Sequence, residues 1–233
     1  MTNKFHQNLN LMALFTALMA AGIILFYRPF MQIATANIYL NGVIIGTTLF
    51  GIGLCFVEMF KLLPEYKWMR AYFRGEKYGA LPPRLLRPVA ILLRRAPECM
   101  TANSMNDMLD MILGRMEDSR ESVRYIINLL VFLGLLGTFW GLIMTVGGFA
   151  EILGTLNFED ESVMAALQAG LSRPLGGMAT AFTSSLLGLG GSLAVGFLGL
   201  QMQLAQNTIF HELEEHLALN AKVASAGNCH IEF

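Results

Sequence analysis

The chain has 233 residues, 55% of them apolar and 14% charged, with a net charge of −1 and a mean hydropathy of +0.52. Soluble domains carry about 25% charged residues, so the composition excludes an ordinary soluble globule, and the near-zero charge leaves no global basic surface for nucleic acid. The three cysteines, Cys55, Cys99 and Cys229, are too few and too far apart for a disulfide framework or a zinc site.

In chain order, the first apolar stretch is Leu11–Tyr27, which has no charge and is short for a span of about 20 residues. Lys4, this run and Ala34-Thr35-Ala36 also resemble a signal peptide with an A-x-A cleavage site, in which case Asn37 begins the mature chain on the outer side. Arg28 and Pro29, lying between the run and that site, favour a retained span. The second stretch is Ile38–Leu63. Its one acid, Glu58, lies a helical turn from Lys61 near the inner end, where it can pair and snorkel. Gly42 and Gly46 offer this span a contact face; otherwise spans 1 and 2 read as lipid-facing.

Segment 64–124 holds most of the 16 Lys and Arg residues. Pro64, Pro82, Pro83, Pro88 and Pro97 punctuate it and argue against one long helix. Asn106–Arg124 lacks proline, and Met108, Met111, Ile112 and Met116 recur at helical spacing. It should run into the third span, about 125–152, as one helix. The fourth span covers about 174–204. Phe210–Leu219 continues it as an acidic amphipathic helix, and Ala221–Phe233 reads as a frayed tail. At 1.5 Å per residue, spans 3 and 4 exceed a hydrocarbon core of about 30 Å, so they should extend into the cytoplasm.

The expected fold is therefore an all-α integral membrane protein with four transmembrane helices. It divides into an N-terminal hairpin (1–63), a basic loop (64–124), a core (125–204) and a C-terminal helix and tail (205–233). Lys and Arg set the orientation. The outer hairpin has Arg173 against Glu151, Glu159, Asp160 and Glu161, so the basic loop and both termini are expected in the cytoplasm.

Spans 3 and 4 are rich in small residues. Gly137, Gly141, Pro174 and Gly188 read as packing positions that let two backbones approach. The polar residues at depth are hydroxyls: Thr138 and Thr145 in span 3, and Thr180, Thr183, Ser184 and Ser185 in span 4. Singly, each is explained by a bond to its own helix. Together, Thr138, Thr145, Thr180, Ser184 and Ser185 are candidates for an ion pathway or a partner-facing surface. Tyr125–Ala150 of span 3 and Pro174–Phe210 of span 4 hold no acid or base. A proton relay in a membrane needs a titratable group, so a proton carrier would have to come from another chain. P-loop, H-E-x-x-H and G-x-S-x-G motifs are absent. His6, His211, His216 and His230 all flank the spans. No enzyme, cofactor or metal is expected. Arg94, Arg95 and Glu98 are either a charged cytoplasmic contact or a solvated loop face.

The stretches LGLLGTFWGLIMTV (Leu133–Val146) and GLSRPLGGMATAFTSSLLGLGGSL (Gly170–Leu193) resemble the MotA/TolQ/ExbB proton-channel family, and the resemblance extends over Asn106–Leu219. Ser184-Ser185-Leu186-Leu187-Gly188 is similar to the family's fourth-span pattern, with serine at Ser185 where threonine is usual. Thr138 resembles the third-span threonine. Four spans resemble MotA, whereas TolQ and ExbB have three. The resemblance implies a homopentamer in a bacterial inner membrane, around two copies of a single-span MotB/TolR/ExbD-like partner that supplies a membrane aspartate. It implies that Thr138 and Ser185 line the space around that aspartate, and that proton or sodium flow drives mechanical work. A non-conducting membrane scaffold is the second reading. A small-solute transporter is the third, and it lacks the inverted repeats such a fold shows.

Overall fold

Leu, Ala and Met favour helix, and a segment surrounded by apolar material must satisfy its backbone internally. The computed structural model describes residues 2–35, 37–73, 84–87, 90–91, 102–155 and 170–226, and no strand occurs among them. The helices are α1 (Thr2–Leu25), α2 (Tyr27–Thr35), α3 (Ile38–Phe73), α4 (Ala102–Thr155) and α5 (Ser172–Ala226). Four of them, α1, α3, α4 and α5, are long and apolar enough to cross a membrane. Arg94, Arg95, Glu98, Cys99 and Cys229 lie outside the described residues, as do Glu159, Asp160 and Glu161 of the acidic hairpin.

Several boundaries differ from those expected. The bond from Phe26 N–H to the Gly22 carbonyl closes the last turn of α1 at 2.9 Å. Tyr27 then opens α2 instead of ending the first apolar helix. Asn37 starts α3, its Oδ1 accepting the Leu40 N–H at 3.3 Å as a side-chain N-cap. Pro64 does not break α3, which runs on to Phe73. An interior proline costs about 3 kcal/mol; here Leu62, Tyr66, Trp68 and Met69 are all buried around it and offset that cost. Helix α4 is continuous over 54 residues. Helix α5 covers 55 residues, reaching Ala226 through positions expected to fray.

The chain forms two compact units. One comprises Met1–Ala13, Leu54–Ser122 and Leu198–Phe233. Met59, Met69, Leu86, Ile112, Met116, Met202 and Ile209 form its core. On α4 the buried stripe is Met108, Leu109, Ile112 and Met116, whereas Met111 is exposed. Two polar anchors hold this unit. Both carboxylate oxygens of Glu65 accept backbone N–H groups, from Leu85 at 2.8 Å and Leu86 at 3.1 Å. Arg120 reaches from α4 to α5, its Nε donating to Gln206 Oε1 at 2.8 Å and its Nη2 to Asn207 Oδ1 at 2.6 Å. Glu58 pairs with Lys61 at 2.6 Å, as the sequence spacing suggests. His216 stacks on Phe73 with ring centroids 4.1 Å apart. The other unit, Leu14–Gly53 with Val123–Phe197, contains the small-residue segments of α4 and α5 and the hydroxyl cluster.

Candidate functional site: the α4–α5 groove

Glycines bring α4 and α5 into backbone contact within this second unit. A Cβ on Gly141 would lie 2.5 Å from the Gly177 carbonyl oxygen and 2.6 Å from the Ala181 nitrogen. One on Gly188 would lie 2.7 Å from the Gly134 Cα, and one on Gly148 would lie 2.8 Å from Pro174 Cδ. Gly137 packs on the Ser184 side chain in the same way. Read along α4, the partners on α5 run backwards, so the two helices are antiparallel. Gly137, Gly141, Pro174 and Gly188 all lie in this contact. At Gly141 and Gly188 no side chain fits, because the nearest opposing atoms are backbone.

Beside the contact runs an open groove of 390 Å³, whose lining includes Thr138, Leu142 and Thr145 of α4 and Met178, Ala181 and Phe182 of α5. Ser185 is four residues beyond Ala181 and seven beyond Met178, so it continues the same stripe. The pairings of Gly137 with Ser184 and Gly134 with Gly188 put Ser185 opposite Leu136 and Gly137, within about half a helical turn of Thr138. Surrounding surfaces are apolar and exposed, including Phe139 at 64%, Phe182 at 77% and Leu193 at 75%. A contiguous apolar surface of this kind marks contact with a membrane or a partner.

The five candidate pathway hydroxyls fall into separate environments. Thr138 Oγ1 donates to the Leu135 carbonyl at 2.6 Å while its side chain faces the groove. Thr145 is buried at the groove wall, donating to the Gly141 carbonyl at 2.8 Å, with the Pro174 carbonyl at 3.3 Å as second acceptor. Thr180 is buried and bonded to the Gly176 carbonyl at 3.0 Å. Ser184 is fully buried and donates to Asn41 Oδ1 at 2.8 Å. Ser185 is half-exposed, and none of the hydrogen bonds among the described residues uses its hydroxyl. The structure thus brings Thr138 and Thr145 to one groove, leaves Ser185 half-exposed on the α5 stripe that continues past Ala181, and sets Thr180 and Ser184 apart from the lining.

Sequence reasoning missed Asn41. Gly42 and Gly46, expected to form the contact face of the second span, have nothing within 4 Å of an added Cβ. The contact instead follows Asn41, Ile44, Thr48 and Gly51, a stripe at helical spacing that was readable in the sequence. Gly51 meets Ile126 and Val195 at 2.9 Å, and Gly191 packs on Thr48. Between the end of α4 and the start of α5, Arg173 pairs with Glu151. No group of three or more metal-binding side chains occurs among the described residues. Comparisons with protein-family models, curated proteins and solved structures gave no match.

Proposed function

We propose that the chain is the multi-span, non-enzymatic subunit of an ion-driven motor or energiser complex of the MotA/TolQ/ExbB type. In this reading it sits in a bacterial inner membrane with both termini in the cytoplasm. Five copies form a ring around a single-span MotB/TolR/ExbD-like partner, and proton or sodium flow is coupled to mechanical work. The observation that carries the reading is the groove, where Thr138 faces an exposed apolar surface and Ser185 lies on the α5 stripe that extends it. The groove offers polarity without a proton carrier: Tyr125–Ala150 and Pro174–Phe210 contain no Asp, Glu, His, Lys or Arg. Such a surface suits a partner helix that brings its own carboxylate.

A scaffold that assembles without conducting is the second reading. It is favoured by Thr138, Thr145, Thr180 and Thr183, whose hydroxyls all donate to carbonyls of their own helices. Valine matches threonine closely in shape but removes the hydroxyl. Thr138→Val and Ser185→Val, co-reconstituted in liposomes with the partner, should lose ion flux and still assemble. Full flux in both variants would contradict the motor reading. A gene beside this one that encodes a single span bearing an aspartate, followed by an envelope-binding domain, would supply the partner.

A further inference from the structure

We propose that Asn41 is the positioning residue that decides which hydroxyl of the Ser184-Ser185 pair faces the groove. This rests on the reading of the groove as the functional surface. Asn41 is wholly buried, and its amide works in both directions. Its Nδ2 donates to the Ile33 carbonyl of α2 at 2.8 Å, and its Oδ1 accepts the Ser184 hydroxyl at 2.8 Å. A carbonyl only accepts, so the amide nitrogen must face Ile33. The amide oxygen is then left for Ser184, which must donate. One buried side chain therefore ties α3 to both α2 and α5.

The consequence is rotational. Neighbouring residues on a helix are about 100° apart around its axis. Pinning Ser184 toward α3 turns Ser185 onto the stripe of Met178 and Ala181. Gly137 supports this from the other side, because the Ser184 side chain occupies the space its Cβ would take. Thr180, Thr183, Ser192 and Thr208 on α5 bond to carbonyls of their own helix. Ser184 instead crosses to another helix. A bond to its own helix would leave the rotation of α5 to packing alone. Asparagine suits the position because it offers a donor and an acceptor from one short side chain.

The test uses Ser185→Cys as a reporter in a full-length chain whose native cysteines are replaced by alanine. The detergent-purified protein is treated with N-ethylmaleimide, a neutral reagent that enters micelle and water alike, and labelling is followed by mass spectrometry. The parent reporter should label readily. Asn41→Leu and Ser184→Ala should each slow it, by at most about tenfold, since one hydrogen bond in a membrane shifts an equilibrium by about three- to tenfold. The two together should do no more than Asn41→Leu alone, because that change already removes the bond from Ser184. Ser184→Ala only shortens a side chain, so it decides the matter if Asn41→Leu fails to fold. General loosening would speed labelling instead, and would do so at Thr180→Cys, a buried site on the same helix. An unlabelled parent reporter, an unchanged rate in Ser184→Ala or faster labelling in both variants would overturn the proposal. The readout needs no ion flux. The expected pattern in a chain that conducts nothing with its partner would overturn the motor reading alone.

Discussion

At the residue scale, Arg120 is the side chain whose loss should be felt most outside the groove. Its side chain is 11% exposed and the acceptor Gln206 is buried, so Arg120→Ala strands a polar amide. The expected loss is about 1–3 kcal/mol, the cost of leaving a buried polar group unsatisfied, measured as thermal unfolding in detergent. The pair with Glu117 at 3.4 Å adds little, because Glu117 is half exposed and solvent screens it. Arg120→Lys should recover only part of the loss, since one ammonium cannot reproduce the fork that reaches both Gln206 and Asn207. A variant as stable as the parent would show that packing alone holds α4 to α5 here. Spacing along one helix made the Glu58–Lys61 pair legible in the sequence. Arg120 with Gln206 and Asn41 with Ser184 were not legible, because each joins residues distant in the chain and no local pattern records which hydroxyl meets which amide.

At the element scale, Gly134, Gly137, Gly141 and Gly188 in the α4–α5 contact differ sharply from Gly42 and Gly46 early in α3. Gly188→Leu would drive a side chain into the Gly134 Cα and the Leu130 carbonyl, 2.7 and 2.8 Å from the added Cβ. These are backbone atoms that cannot rotate away, so the expected cost is at or above the roughly 1–3 kcal/mol of an overpacked core. Gly46→Ala adds a methyl where nothing lies within 4 Å, and should be neutral or gain up to about 1 kcal/mol of helix stability. Thermal unfolding of the two variants side by side checks this, and equal shifts would contradict the packing described. Small-residue spacing marked the α4–α5 contact in advance, and periodicity anticipated the run of Asn106–Arg124 into α4. The same logic failed at Gly42 and Gly46, since a glycine in a sequence does not say whether another helix is opposite it. It failed at Pro64 because burial of the flanking residues outweighed a local helix-breaking preference.

At the scale of the whole molecule, the chain exposes more apolar surface than water would tolerate and carries no acid within the small-residue segments of α4 and α5. Helix α4 alone is 54 residues, roughly 80 Å at the α-helical rise. That is well beyond the hydrocarbon core of about 30 Å. In the proposed reading these surfaces face lipid and other chains, and a partner chain brings the carboxylate that the small-residue segments lack. Native mass spectrometry of the protein, co-expressed with the proposed single-span partner and released from detergent, reads the composition of the assembly directly. The account expects five copies of this chain with two of the partner. A dimer of this chain that retains no partner would contradict it.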